Sequence, residues 1–386
     1  MTKKTPKARA SKPGSTYFIT GFPGFIGRRL VEEVAREDPG ADLFLLVQPK
    51  CLKDAQKVSD QLSHQGRTGK IELLTGDIVD LHLGLSGDEY QRLCDTVTVI
   101  YHLAAVSYLG TPKETAWRVN VDGTRNVIEL ARDATRLERL NHVSTCYVSG
   151  DRVGVIAEDE LDNGQNFRNV YEESKYQAEK LMQRAAQTLP VTVFRPSSVV
   201  GDSATGEIDR FDGPYYLGIL LVMSPLILPL PLPGNGVAPL NVVPVDFVVR
   251  ALWAISRDPS SRGKTFHIVD PNPMSARRVY ELIAEKANKR LPKFNLSARA
   301  ADVMLRLPGL ERLVRPQRAA VTYVNHLALY NCHNTLEALD GTSIRCPPLT
   351  TYLDKLVTYV REYYRKRKES LASVEDPLDR PTASRS

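Results

Sequence analysis

Two groups of residues in this chain could do chemistry. Tyr171 and Lys175 stand four apart in Tyr171-Glu-Glu-Ser-Lys175, a spacing that puts both side chains on one face of a helix. An ammonium beside a phenol favours the ionised phenol, so the pair predicts that Tyr171 moves a proton near neutral pH. Far upstream, Gly21, Gly24 and Gly27 follow the apolar run Thr16-Tyr-Phe-Ile-Thr20. Glycines at that spacing let a strand turn tightly into a helix while backbone amides approach a pyrophosphate that a Cβ would obstruct. The helix N-terminus then faces the negative charge. A dinucleotide site and a proton donor in one chain predict a redox enzyme.

The end of the second apolar run reads Gln48-Pro49-Lys50. An acidic residue there would hydrogen-bond the 2′-hydroxyl of NAD, and a basic one would take the 2′-phosphate of NADP. No carboxylate is present to repel a phosphate, and Lys50 and Arg28 are available to attract it, which favours NADP(H) over NAD(H).

The elements that must position these residues alternate along the chain. From Tyr17 the pattern is strand, glycine turn, helix (Phe25 to Glu37), strand (Leu43 to Val47), helix, and strand (Ile71 to Leu74) ending in Gly76-Asp77-Ile78. Further strands are expected at Val97–Leu103, Leu140–Ser144 and Val191–Phe194, with helices that include Asn120–Arg132 and Tyr171–Thr188. This alternation predicts an α/β fold of Rossmann type, a doubly wound parallel sheet of six strands over residues 16–200. Beyond Arg195-Pro196 glycines and then prolines accumulate, and a smaller substrate region is expected over 201–365. It is interleaved with the sheet, because short strand-like runs return at Asn241–Val245 and Thr265–Val269. Ser275 is placed to cap a helix carrying Val279, Leu282, Ile283 and Ala287, and Leu353, Leu356, Val357, Val360 and Tyr364 mark another helical face. Residues 1–15 and 366–386 read as disordered tails. The chain shows no internal repeat.

Composition excludes several classes. With 386 residues, 42% hydrophobic and 25% charged, most of the chain has the means to bury a large core. The formal charge of +6 is carried by the tails, leaving the body near neutral and no footprint for nucleic acid. Cys51, Cys94, Cys146, Cys332 and Cys346 are odd in number and nowhere paired two residues apart, so neither a disulfide framework nor a zinc knuckle is expected, and a reducing cytoplasm fits. The histidines show no metal spacing. The apolar run Tyr215–Pro233 approaches a membrane span in length, yet its prolines would break the helix bonding that lipid demands. It reads as core or as the wall of an apolar pocket, and membrane contact is at most peripheral.

Gly21-x-x-Gly24-x-x-Gly27, Tyr101-His-Leu-Ala-Ala105, Ser144-Thr145 and Tyr171-x-x-x-Lys175 occur in one order, and in them the chain resembles the extended short-chain dehydrogenase/reductase family from about Tyr17 to Asp270. Arg195-Pro-Ser-Ser-Val-Val-Gly201-Asp-Ser-Ala-Thr-Gly206-Glu-Ile208 and Val119-Asn-Val-Asp-Gly-Thr124 are similar to its thioester-reductase branch, which includes fatty acyl-CoA reductases and the reductase domains of carboxylic acid reductases. That branch usually has arginine where Gln48 stands. The resemblance implies that Tyr171 is the proton donor, Lys175 its electrostatic partner and ribose ligand, and Thr145, rather than Ser144, the hydroxyl that binds the substrate oxygen. It implies further that Asp77 and Ile78 meet the adenine, that Leu103, Ala104 and Ala105 line the middle of the cofactor, and that Phe25, Ile26, Pro196 and Val199 complete its contacts. The implied reaction is NADPH-dependent reduction of a hydrophobic acyl thioester, a fatty acyl-CoA or an acyl carrier protein conjugate, to the aldehyde, or to the alcohol where a second hydride follows. Thr145, Tyr171 and Lys175 serve a sugar-nucleotide epimerase or a hydroxysteroid-type dehydrogenase equally well. The fold alone also suits a non-catalytic nucleotide sensor.

Overall fold

Strands covered on both faces favour apolar side chains on both, and the runs from Thr16 to Val193 are largely apolar, with Asn141 and His142 among the buried polar exceptions. The computed structural model describes residues 14–63, 69–108, 110–209, 236–289 and 325–374. Its central sheet is parallel and seven-stranded, in the order β3 (Ile71–Thr75), β2 (Asp42–Val47), β1 (Thr16–Thr20), β4 (Val99–His102), β5 (Arg139–Val143), β7 (Val191–Pro196) and β10 (Thr265–Ile268). The order of addition reverses between β1 and β4, so the loops leaving those two strands diverge and open a crevice at their carboxyl ends.

Each face of the sheet is covered by helices whose apolar stripes match it. On one side α1 (Phe25–Glu37), α2 (Leu52–Ser63) and α7 (Val245–Ser256) bury Leu30, Val34, Leu62, Val249 and Trp253 against Tyr17, Ile19 and Leu45. On the other, α3 (Gly87–Thr96), α5 (Gly123–Asp133) and α6 (Val170–Ala185) bury Leu93, Val127 and Met182 against Phe18, Ile100 and Leu140. Two small parallel sheets stand apart: β6 (Gly154–Ile156) with β11 (Ala328–Tyr330), and β8 (Ser198–Val200) with β9 (Val242–Pro244).

Four expectations need comment, three of them correction. The sheet has seven strands rather than six, because Thr265–Ile268 joins β7 in parallel register, whereas Val242–Pro244 pairs with β8 outside it. The helix expected over Asn120–Arg132 is three pieces: α4 (Lys113–Trp117), a π turn over Arg118–Asp122, and α5. Ser275 does cap α8 (Ala276–Lys286), accepting from Arg278 N at 3.2 Å. The last helix, α10 (Leu353–Val374), continues past Lys366, where a tail was expected to begin. Its Leu353, Leu356, Val357 and Val360 bury against Val279 and Leu282 of α8. Among the described residues no helix is long and apolar enough to cross a membrane. Tyr215–Pro233 lies outside the described residues.

Candidate active site

The glycine turn joins β1 to α1 over the crevice. Gly21 adopts φ +86°, and a Cβ there would stand 2.8 Å from Ala104 N; a Cβ on Gly24 would stand 2.8 Å from the Gly21 carbonyl oxygen. Neither close approach tolerates a side chain. The N-cap of α1 makes no side-chain hydrogen bond and its first turn holds no acid, so the amides of that turn are left to an anionic ligand, as a pyrophosphate requires. Phe25 and Ile26, in that first turn, are half-buried and pack against the core on this side of the sheet.

Beside the turn, a chain of hydrogen bonds fixes the loop after β4. The Thr20 hydroxyl accepts from the amides of Leu103 and Ala104, both at 3.2 Å, and lies 2.9 Å from His102 Nδ1. With its lone pairs so engaged, Thr20 donates to Nδ1; Nε2 therefore carries the proton and donates to Thr124 Oγ1 at 2.9 Å, which passes its own hydrogen to Asn120 O at 2.6 Å. Burial, with the Lys175 charge nearby, pushes His102 down to about 3, so it is a neutral strut. Leu103 and Ala104 are half-buried and Ala105 is exposed on the crevice side of this loop.

Thr145 follows β5, while Tyr171 and Lys175 sit in the first turns of α6, and the structure brings the three together. The Thr145 side chain lies near enough to the Tyr171 phenol to pull its pKa down. Burial pushes the phenol up to about 12, against the pull of Thr145 and with the Glu172 charge adding to the rise. Lys175 is pushed down to about 8 by burial, opposed by Glu179, and its Nζ donates to Val143 O at 2.8 Å. One of the three Lys175 donors is thus taken by a backbone carbonyl, and the largest influence on the Tyr171 phenol is burial, which favours its protonated form, and not the Lys175 charge. His142 of β5 is fully buried and kept neutral by burial first and by the nearby Lys175 charge.

Choosing between Ser144 and Thr145 turns on a buried network. Ser144 Oγ donates to Glu179, whose Oε1 receives Arg195 Nε and Nη2 at 2.9 and 2.6 Å. Arg195 Nη1 also donates to His267 Nε2 at 3.1 Å, so His267 must carry its proton on Nδ1, which donates to Asn331 O at 2.6 Å. Ser144 is thus committed to structure; Thr145 Oγ1 accepts Tyr147 N at 3.3 Å and lies near enough to the Tyr171 phenol to influence it. Pro196 closes β7 with its carbonyl 3.5 Å from Thr145 Oγ1, and Val199 of β8 is half-buried beside the Phe194 cluster.

Sequence reasoning passed over Asn120. Lying in the π turn, it accepts Val106 N at 2.8 Å and donates to Val106 O at 3.1 Å and to Ser174 Oγ at 2.9 Å. One buried amide therefore ties the cofactor-side loop to the helix of Tyr171. The only signal was Val119-Asn-Val-Asp-Gly-Thr124, which reads as ordinary helix; π turns recur at functional sites because they re-aim a side chain.

At the other end of the crevice, Gln48 Nε2 donates to Asp77 Oδ2 at 2.7 Å, and Asp77 Oδ1 accepts Val79 N at 3.2 Å. Ile78 is buried against Gly123, and Lys50 is exposed in the turn after β2. Arg28 departs from expectation. Its Nη2 is held by Glu207 at 2.9 Å and Asp209 at 3.2 Å, and Glu207 also takes Arg29 at 2.6 Å, so Arg28 faces the 201–209 loop and not the end of β2. No cluster that could hold a metal occurs among the described residues.

A family model described as "Male sterility protein", an NAD-binding family, matches residues 19–252. The chain belongs to this family, in the thioester-reductase branch of the extended short-chain dehydrogenase/reductases. Fatty acyl-CoA reductase wat of Drosophila melanogaster is 28% identical over 284 residues, 62% of this chain and 54% of that protein. Nonribosomal peptide synthetase asaC of Aspergillus flavus is 29% identical over 293 residues, 71% of this chain and 28% of that protein. The chain thus spans about half the length of the Drosophila reductase and a smaller part of the synthetase. Among solved structures, the terminal R domain from the myxalamid PKS-NRPS biosynthetic pathway superposes with a TM-score of 0.75 at 27% identity, covering 92% of each chain. UDP-glucuronic acid 4-epimerase from Bacillus cereus, in complex with NAD, reaches 0.66 at 17% identity over 90% of this chain and 99% of its own, which is a likeness of fold alone.

Proposed function

We propose that this protein reduces a hydrophobic acyl thioester, carried by CoA or by a carrier protein, with NADPH as hydride source. The observation that carries the reading is the gathering of Thr145, Tyr171 and Lys175 where β5 meets α6, with Thr145 pulling the phenol down against burial, together with a glycine turn whose helix has no side-chain cap and no acid in its first turn. A nicotinamide held there would supply the hydride to the thioester carbon. The chain's own part is then electrostatic and protonic. Thr145 and Tyr171 donate to the thioester oxygen as it gains negative charge, and Tyr171, held protonated by burial, gives that oxygen its proton. Collapse of the resulting hemithioacetal breaks the carbon–sulfur bond, releases the thiol and leaves the aldehyde. NADPH is favoured over NADH because β2 ends without a carboxylate and Lys50 stands in the turn behind it.

Mixing the protein with NADPH and acyl-CoA thioesters of graded chain length is expected to give thioester-dependent loss of absorbance at 340 nm. Absence of oxidation with every thioester would remove the proposal. The same assay tests Lys175 as ribose ligand. Its ammonium is the form that binds a ribose hydroxyl by donation, and that form is lost as pH rises through about 8. For NADPH, kcat/KM reports the free enzyme, so it is expected to fall above that pH by about tenfold per unit, and Lys175→Arg is expected to abolish the fall. A profile flat to pH 10 in the native enzyme would rule out this role.

A further inference from the structure

The contact between Gln48 and Asp77 decides which way an amide faces. A carboxylate only accepts hydrogen bonds, so the 2.7 Å contact fixes nitrogen as the Gln48 atom turned to Asp77. Asp77 is itself fixed: its second oxygen accepts Val79 N at 3.2 Å and its backbone N donates to Leu83 O at 2.9 Å. The Gln48 carbonyl oxygen must then point away from Asp77. Gln48 is half-buried and follows β2 directly, the place from which a dinucleotide fold reads the adenosine 2′ position.

We infer that Asp77 is a specificity-determining residue that acts through Gln48, turning the amide oxygen to the cofactor's 2′ position so that it accepts from a 2′-hydroxyl. The inference rests on the dinucleotide-binding reading above and refines its preference for NADPH. An oxygen acceptor favours the hydroxyl of NADH and opposes a 2′-phosphate, while the exposed Lys50 ammonium favours the phosphate. The two pull against each other, and this chain discriminates less sharply than an arginine at position 48 would. Arg28, engaged by Glu207 and Asp209, does not tip the balance.

The test is cofactor binding, measured for NADPH and NADH by calorimetry on the full chain without acyl substrate. Its outcome is therefore independent of whether thioesters are reduced. Asp77→Asn gives position 77 a donor, which lets the Gln48 amide turn over and offer its N–H groups to the phosphate. The ratio of the NADH to the NADPH dissociation constant is expected to rise by roughly threefold or more, the scale of one neutral hydrogen bond. Gln48→Leu removes the carbonyl at a half-exposed strand end, leaves the fold intact, and is expected to raise the same ratio by weakening NADH. In the Gln48→Leu background, Asp77→Asn is expected to add nothing. An unchanged ratio in Gln48→Leu overturns the inference, as does an Asp77→Asn effect that persists without Gln48.

Discussion

Tyr171→Phe is expected to lower kcat for thioester reduction by about 10²–10⁴-fold, the usual contribution of a positioned general acid, with little change in NADPH affinity. The argument starts from protonation. Burial lifts the phenol to about 12, so the tyrosine enters the reaction with its proton in place, and a reduction that ends in a hydroxyl group needs a donor and not a base. The nearby Thr145 side chain opposes that rise, so the tyrosinate left after transfer has a hydroxyl close by to stabilise it. Thr145→Ala is expected to cost about 10²–10³-fold, the scale of one lost oxyanion donor, and the double variant less than the product of the two, because both act on the same oxygen. Stopped-flow single turnovers with saturating NADPH separate this chemical step from binding. A Tyr171→Phe enzyme within tenfold of the native rate would show that the proton comes from elsewhere.

How much of this could be read from the amino-acid order differs by element. Most strands of the parallel sheet were legible because burial on both faces favours short, largely apolar runs, and α1 because its glycine turn and apolar stripe start and end it at Phe25 and Glu37. The runs at Asn241–Val245 and Thr265–Val269 both read as strands returning to the sheet, but only β10 joins it, since β9 and β10 carry similar apolar runs and only their partners distinguish them. The π turn at Arg118–Asp122 was hidden because a single five-residue turn is too short for its altered spacing to show in the apolar pattern. Within the candidate site, Tyr171 and Lys175 stood out by type and spacing, and Thr145 only by the family resemblance. The direction of the Lys175 charge was not legible, because it depends on the Val143 carbonyl of a strand far away in sequence. The same holds for Arg28, whose partners at 207 and 209 are brought in by a loop, and for Gln48, whose amide is oriented by a residue just past the neighbouring strand.

Arg195 is 1% exposed and Glu179 is fully buried, which makes Glu179→Ala the substitution with the largest expected cost in stability. A buried ion pair adds little over an apolar pair, but removing one partner strands the other charge without solvent. With Glu179 gone, the guanidinium keeps only a long contact to Glu158 O at 3.3 Å and the neutral His267 at 3.1 Å. The expected loss is about 3–5 kcal/mol in urea unfolding, against about 0.5–1.5 kcal/mol for Ser144→Ala, which gives up one hydroxyl hydrogen bond to the same carboxylate. The variant that folds well enough to assay carries a second, electrostatic signature. Glu179 is the group that opposes the burial-driven depression of Lys175, so its removal lowers Lys175 further below about 8 and the ammonium is lost earlier on the pH scale. The alkaline fall of kcat/KM for NADPH should therefore move to lower pH in Glu179→Gln, which keeps the shape of the side chain and an acceptor for Arg195. A profile that stays in place while stability drops would mean that the pair braces the sheet against α6 and leaves Lys175 untouched. A profile that moves with it ties the deepest charge in the fold to the chemistry at its surface.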